Sequence, residues 1–201
     1  RERLGIASEA RVPAYLGSIG TWYMLAEMLD AFAVERTRSP GATMLWITPD
    51  DPALIRAEAA HQGLPEASLV IRSADRGEVR SLLAAADYGL FFIKPAFSKI
   101  ASSPVKLGEM LAMGLPVLTN SGVGDVDRII DESGAGVIVG EFDAAAYARG
   151  LDRLETLTPD PVRAAAVTRR WFDLEEGVRR YDALYRRLNP DSPGSAGPDI
   201  R

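Results

Sequence analysis

A repeated pattern constrains the fold of this chain most: a short apolar segment, a Gly or Pro turn, then a segment of helical periodicity. Strands are predicted at residues 12–18, 43–48, 68–71, 88–93, 116–119 and 136–139. Helices are predicted at residues 22–35, 52–62, 76–86, 104–113, 126–132 and 144–154. This alternation predicts an α/β fold, a Rossmann-like parallel sheet of about six strands with helices on both faces. Residues 163–170 and 175–188 add C-terminal helices.

The composition supports one globular domain and excludes several kinds of site. Hydrophobic residues make up 47% of the 201 residues, enough for a core, and the net charge of −5 does not suit a protein that coats nucleic acid. There is no cysteine, so disulfide scaffolds, thiolate metal sites and cysteine nucleophiles are excluded. The single histidine, His61, falls at a predicted helix end before Gly63, where a cation is favourable. No metal site is predicted.

The ends of the chain differ from its middle. Residues 189–201 hold three Pro, two Gly and two Ser, and we predict a disordered tail after a domain at residues 1–188. Residues 1–11 form a charged lead into the first strand, which suggests a piece of a longer protein. No apolar run approaches the ~18 residues that a membrane span needs, and no signal peptide is visible. A cytoplasmic location is therefore expected.

Three lysines mark one candidate site. Lys94, Lys99 and Lys106 are the chain's only lysines and fall within residues 94–106, either by coincidence in an arginine-rich composition or as a local positive patch. Ser103 and Pro104 resemble an N-cap and a first helical residue. The amides of Val105 and Lys106 would then be free at a helix N-terminus, where the dipole favours an anion such as a diphosphate.

Glu109 follows Lys106 by three residues and is predicted to share its helix face, opposite the apolar face of Leu107, Met110 and Leu111. A carboxylate one turn below the phosphate site could accept hydrogen bonds from the two hydroxyls of a ribose. A surface ion pair between Lys106 and Glu109 is the other interpretation. Periodicity alone does not choose between them.

Glycines and aspartates mark the remaining loops. The turn Gly17-Ser18-Ile19-Gly20 follows the first strand and could bring backbone close to a phosphate, although it does not match the dinucleotide pattern G-x-G-x-x-G. Asp50 and Asp51 are interpreted as a turn and a helix cap. Asp125 lies in a literal D-x-D, but its position after two glycines predicts an N-cap rather than a metal ligand.

Four segments together resemble family 4 glycosyltransferases, which have the GT-B fold. They are YLGSIG at residues 15–20, AAAD at 84–87, SSPVKLGEMLAMGLPV at 102–117 and NSGVGD at 120–125. The resemblance covers residues 12–188 and implies the C-terminal, nucleotide-sugar-binding half of a two-domain enzyme. It implies that the Val105 and Lys106 amides hold the donor diphosphate, that Glu109 holds the ribose and that Arg72 contacts the base.

The chain departs from the pattern of this family at two places. Many members carry a second glutamate eight residues before the first, where this chain has Ala101, so its role would fall to Ser102, Ser103 or Lys99. The Arg and Lys that often follow the first strand are also absent from residues 18–23. Lys94, Lys99 and Lys106 are the candidates to supply that charge.

The resemblance implies a retaining, metal-independent glycosyltransferase whose acceptor-binding half, with any general base, would precede Arg1. The donor nucleotide sugar is the expected small-molecule partner, and no further cofactor is expected. The alternatives are an NAD-dependent oxidoreductase or epimerase and a non-catalytic nucleotide-binding module. Three arginine pairs lie in the C-terminal helices, at residues 169–170, 179–180 and 186–187, and they have two interpretations. In one, they form the water-facing side of helices whose other side packs on the domain through Trp171, Phe172, Tyr181, Leu184 and Tyr185. In the other, they make peripheral contact with the inner face of a membrane.

Overall fold

A computed structural model describes residues 1–189. Its centre is one sheet of six strands in the order β3-β2-β1-β4-β5-β6, with every neighbouring pair parallel. The strands are β1 (Pro13–Leu16), β2 (Met44–Ile47), β3 (Leu69–Arg72), β4 (Tyr88–Leu90), β5 (Val117–Asn120) and β6 (Gly136–Val139). The predicted parallel α/β sheet is confirmed. Apart from Asn189, the predicted tail lies outside the described residues.

Within residues 1–189, eight α-helices connect and flank the strands. They are α1 (Leu25–Arg38), α2 (Pro52–His61), α3 (Arg76–Leu83), α4 (Val105–Ala112), α5 (Val126–Ser133), α6 (Ala144–Glu155), α7 (Pro161–Phe172) and α8 (Leu174–Leu188). Because the chain returns between parallel strands through helices, both faces of the sheet are covered and its strands are mostly apolar. In β2, for example, all four residues of Met-Leu-Trp-Ile are buried.

The strand order reverses at the centre of the sheet. β1 pairs with β2 on one side and with β4 on the other, and the register sets Tyr15 beside Trp46 and Ala14 beside Gly89. Tyr15 and Trp46 are fully buried, with ring centroids 5.1 Å apart. In parallel sheets of this kind a ligand cleft forms at the carboxyl ends of the strands next to such a reversal. The loops after β1 and β4 are therefore the ones that shape a site.

The first helix begins later than the sequence predicted. Gly20 to Tyr23 form a turn in which the Tyr23 amide donates to the Gly20 carbonyl at 2.9 Å. Tyr23 is bridged to Ile93, and the Lys94 amide donates to the Trp22 carbonyl at 2.9 Å. α1 starts only at Leu25 and continues to Arg38. The pairing keeps Trp22 and Tyr23 out of the helix and ties the loops after β1 and β4 together.

The capping of α4 also differs from the prediction. Pro104, not Ser103, occupies the N-cap, and no side chain caps the helix. The Leu107 amide bonds the Pro104 carbonyl at 3.0 Å, which closes the first turn and leaves the Val105 and Lys106 amides without an intrahelical acceptor. The unfilled cap makes this helix end more available to a ligand than the predicted one.

The aspartate predictions have different outcomes. Asp51 caps α2 by accepting from the Ala53 amide at 2.9 Å, which confirms the cap. Asp125 occupies the N-cap position of α5, but its side chain makes no capping bond. Asp127 instead accepts from the Gly122 amide at 3.2 Å and so folds the preceding turn back onto the helix.

The C-terminal helices are present, but the predicted packing of the last one is wrong. α7 packs on α4 and α5, with the Phe172 ring against Gly108 and the Trp171 indole donating to Glu132 at 2.9 Å. In α8, Tyr181, Leu184 and Tyr185 are exposed and no residue is buried. Its arginines pair with acidic residues of the same helix, which stabilises it without a packed face. No helix in residues 1–189 is both long and apolar enough to cross a membrane.

Candidate functional site

A cleft of about 500 Å³ opens at the carboxyl ends of β1 and β4, where the strand order reverses. Its size is that of a small-molecule site. Most of the predicted site residues line it: Gly17, Lys99, Ser103, Pro104, Val105, Lys106 and Glu109. Trp22 and Tyr23, which the sequence analysis did not include among the site residues, line it as well.

The N-terminus of α4 forms one wall of the cleft. The two open amides of Val105 and Lys106 lie where the helix dipole places partial positive charge. Gly108, in the middle of the helix, lies directly under the Phe172 ring, and a Cβ there would come within 2.5 Å of that ring. α7 therefore holds α4 from behind, which fixes the direction of its amides.

Lys106 is buried, and this corrects the predicted solvent-facing position beside Glu109. Its side chain is 7% exposed, and Nζ donates to the Tyr15 hydroxyl at 2.9 Å. The ammonium lies 4.2 Å from the Tyr15 ring centroid and 3.7 Å from that of Tyr23, where the electron-rich ring faces favour a cation. The surface ion pair with Glu109 is thereby replaced by a buried aromatic enclosure.

Burial has an electrostatic consequence for Lys106. Loss of hydration lowers the pKa of its ammonium to about 7, and the nearby charge of Glu109 opposes the shift. Every ion pair in residues 1–189 joins an arginine or His61 to a carboxylate, so no lysine is neutralised in this way. Lys106 is a desolvated cation whose charge would be stabilised by an incoming anion.

The turn after β1 closes over the end of Lys106. Gly17 has φ of +114°, and a Cβ on it would lie 3.1 Å from the Lys106 Nζ, so glycine lets the turn approach the ammonium. The Tyr15 hydroxyl accepts from Lys106 and donates to the Ser18 carbonyl. One tyrosine therefore connects the ammonium to the turn.

Asp50 fixes the same turn from the neighbouring strand. Its carboxylate accepts from the Ile19 amide at 2.5 Å and from the Ser18 hydroxyl at 2.7 Å. These two bonds hold the pKa of Asp50 below its usual value, the backbone bond contributing most. The predicted turn role of Asp50 omitted this link between the β2 and β1 loops.

Glu109 lines the cleft one turn below the α4 N-terminus, as expected. It is exposed enough to reach a ligand, while the cleft walls remove part of its water and raise the pKa of the carboxyl. Arg76 and, more weakly, Lys106 oppose that shift. A carboxylate in this position can accept hydrogen bonds from a polyhydroxylated ligand.

Two other lysines flank the cleft differently. Lys99 is half-buried, lines the cleft and places Nζ 4.6 Å from the ring centroid of Trp22. Lys94 is exposed and is not among the lining residues. The predicted positive patch is therefore two lysines in the cleft, Lys99 and Lys106, each on an aromatic ring.

Three predicted residues are not part of the cleft wall. Ser18 and Gly20 belong to the turn but do not line the cleft, Ser18 being bonded to Asp50. Arg72 ends β3 and lines a separate cavity of about 700 Å³ between α3 and the first residues of the chain. The structure therefore does not bring Arg72 together with Lys106 and Glu109.

The loop after β5 supports the cleft from outside. The buried Asn120 side chain accepts from the Ile93 amide at 2.8 Å and donates to its carbonyl at 2.9 Å. Gly124, with φ of +45°, lies so close to Ser102 that a Cβ on it would overlap the Ser102 carbonyl oxygen. This third glycine-rich loop positions the two segments that lead into α4 instead of lining the cleft.

These features define a class of protein: an α/β domain of Rossmann type, GT-B-like, with a cleft at its topological switch point that is lined by two lysines and the N-terminus of a helix. The family model "Glycosyl transferases group 1" matches residues 1–171. The chain therefore belongs to that family of glycosyltransferases.

Solved structures with the same fold include the following three proteins. Sucrose-phosphate synthase from Thermosynechococcus elongatus is 19% identical, with a TM-score of 0.69 over 96% of this chain and 49% of that one. WaaG, a glycosyltransferase involved in lipopolysaccharide biosynthesis, is 24% identical, with a TM-score of 0.66 over 94% and 50%. Anabaena HepE, in complex with UDP and glucose, is 14% identical, with a TM-score of 0.71 over 92% and 50%.

This chain spans about half the length of each of these structures. No curated protein sequence matches it significantly. At these identities the likeness to solved structures establishes the fold, and the chemistry of the site has to come from its own residues.

Proposed function

We propose that this chain is the donor-binding, C-terminal half of a family 4 glycosyltransferase and that its cleft binds a nucleoside-diphosphate sugar. One observation carries the proposal: a buried, unneutralised Lys106 lies between the glycine turn after β1 and the open amides of α4. Two backbone elements and one cation converge there, which is the arrangement that a diphosphate requires.

The donor has one orientation that uses all parts of the cleft. The diphosphate lies at the α4 N-terminus, against the Val105 and Lys106 amides and the Lys106 ammonium. The ribose lies towards Glu109, one turn down α4. Arg72 has no part in this orientation, because it lines a separate cavity. Because the diphosphate joins ribose and sugar, we place the sugar on the other side of the α4 N-terminus from the ribose, against Trp22 and Lys99, which line the same cleft.

The proposed reaction is transfer of the sugar to an acceptor with departure of the nucleoside diphosphate. The bond between the anomeric carbon and the diphosphate oxygen breaks, and negative charge grows on that oxygen. Fixed amides and a desolvated ammonium stabilise such charge strongly, which supports a metal-independent route. Retention at the anomeric carbon and a role in polysaccharide biosynthesis follow from the family resemblance. We also expect a cytoplasmic location, with peripheral contact at the inner face of a membrane through the paired arginines.

The acceptor-binding half and the group that deprotonates the acceptor are proposed to belong to a preceding domain. The solved structures of the same fold are about twice as long as this chain, which supports that division. We expect the chain by itself to bind nucleotide and to turn over little or no donor.

Isothermal titration of the chain with UDP, GDP and ADP tests the proposal. UDP comes first because it is bound in the structure of Anabaena HepE. Glu109→Ala should weaken whichever nucleotide binds by about tenfold, the value of charge-assisted hydrogen bonds to the ribose. Glu141→Ala, at an exposed carboxylate outside this cleft, is the matched control.

Two results would count against the proposal. Binding of NAD in place of all three nucleotides would identify a dinucleotide-dependent enzyme. Equal affinities of the Glu109→Ala and Glu141→Ala variants would show that the ribose does not occupy the α4 end of the cleft. If sugar transfer remained absent after the chain is joined to its upstream half, the chain would be a non-catalytic nucleotide-binding module.

A further inference from the structure

The part of the cleft formed by the segment before α4 and by the turn after β1 has an unusual composition for a sugar pocket. It is lined by Trp22, Lys99, Ser102 and Ser103, an indole, an ammonium and two hydroxyls, and it contains no carboxylate. Neutral sugars present hydroxyl donors, and carboxylates are the strongest acceptors for them. A pocket with a cation instead is suited to a sugar that itself supplies the negative charge.

Lys99 is available for such a contact. Its ammonium rests on the Trp22 ring, 4.6 Å from the centroid, and no carboxylate in residues 1–189 pairs with it. Trp22 is 43% exposed although it lies at the cleft, so its indole remains open to a ligand. Apolar C–H groups of a sugar ring pack on such a surface, next to the Lys99 head group.

The two cleft lysines are held in different ways, which separates their roles. Lys106 is buried under the glycine turn and connected to it through Tyr15. Lys99 comes from the short helical turn Phe97–Lys99 before α4 and lines the same cleft. In the proposed orientation, Lys106 and the α4 amides contact the diphosphate. Lys99 therefore remains to contact the sugar that is attached to the diphosphate.

We propose that the cleft selects a donor whose sugar carries a carboxylate, a nucleoside-diphosphate uronic acid, and that Lys99 on the Trp22 ring is the residue that recognises it. This inference rests on the proposed function, since it needs the diphosphate to lie at the α4 N-terminus. Lys99 acts in ground-state recognition of the donor and is not required for the diphosphate itself.

Titration of the chain with matched donors tests the assignment. Each set of probes consists of the free nucleotide, a neutral donor and a uronate donor. If UDP binds, the set is UDP, UDP-glucose and UDP-glucuronate. If GDP binds, it is GDP, GDP-mannose and GDP-mannuronate, and if ADP binds, it is ADP, ADP-glucose and ADP-glucuronate. The uronate donor should bind about tenfold tighter than the neutral one. Lys99→Gln should remove that preference and leave the affinity for the free nucleotide unchanged.

The control is Lys94→Gln, a lysine of the same loop that is exposed and outside the cleft wall. It should keep the preference for the uronate. Equal binding of the uronate and neutral donors would overturn the inference, and so would a Lys99→Gln variant that weakens all three probes equally, because Lys99 would then be a diphosphate ligand. Failure of UDP, GDP and ADP to bind at all would instead overturn the proposed function.

Discussion

Raising the pH should weaken donor binding, because the buried ammonium of Lys106 loses its proton in the physiological range. Burial lowers the pKa of Lys106 to about 7 in the free protein. Only the charged form attracts a diphosphate, and two phosphate charges beside it raise its pKa again in the complex. Binding above pH 7 must therefore take up a proton, and the affinity falls as the pH rises.

The size of the effect follows from the fraction of Lys106 that is charged before binding. With a pKa of about 7, about nine-tenths of the molecules carry the ammonium at pH 6 and about 3% do so at pH 8.5. The donor should then bind about 30-fold more weakly at pH 8.5 than at pH 6. Asp50 does not produce this change, because its pKa is held below the usual value. Glu109 has a raised pKa, but a carboxylate that accepts hydrogen bonds from the ribose would bind more tightly, not more weakly, as the pH rises.

The assay is isothermal titration with a nucleotide sugar, whose diphosphate has no proton to lose between these pH values. Heats measured at pH 8.5 in two buffers of different ionisation enthalpy report about one proton taken up per donor bound. The Lys106→Met variant, which keeps the volume of the side chain, should bind weakly with neither pH dependence nor proton uptake. Constant affinity of the unmodified chain from pH 6 to 8.5 would refute the role assigned to Lys106.

Two further predictions concern the loops that shape the cleft. Asp50→Ala removes both bonds to the glycine turn and should weaken nucleotide binding by about three- to tenfold in titrations, whereas Asp51→Ala should lower only the stability of the fold, by about 1 kcal/mol in denaturant unfolding. Gly124→Ala should force Ser102 away, cost about 1–3 kcal/mol in thermal unfolding and weaken binding. Gly140→Ala, where a Cβ meets open space, should do neither.

The sheet was predictable from sequence because its strands are buried on both faces and stand out as apolar runs between helical segments. Neither the packing of α8 nor the start of α1 could be predicted in the same way. Tyr181 and Tyr185 share a helix face with leucines, a pattern typical of a packed helix, yet nothing in the pattern says whether a partner surface exists. Trp22 and Tyr23 continue a helical periodicity, but pairing with the β4 loop keeps them outside α1.

In the site, residues within one segment were predictable and contacts between segments were not. Helix geometry within residues 103–109 predicts both the open amides of Val105 and Lys106 and the position of Glu109 one turn below them. All three residues line the cleft in the structure. The enclosure of Lys106 requires Tyr15 from β1, and the bracing of the glycine turn requires Asp50 from β2. Only the strand order, which periodicity does not reveal, brings these distant residues together.

In the proposed function, the position of the cleft cation compensates for the absence of basic residues from the glycine turn. An exposed lysine in the turn between residues 18 and 23 would be hydrated and screened, whereas Lys106 reaches the turn from α4 with its water already removed. Desolvation costs the free protein stability, since the ammonium is partly given up at neutral pH. The same desolvation strengthens the attraction between the ammonium and an anion. The free energy of binding an anion therefore offsets the cost of burying Lys106, whereas a neutral ligand of the same shape has no such favourable term.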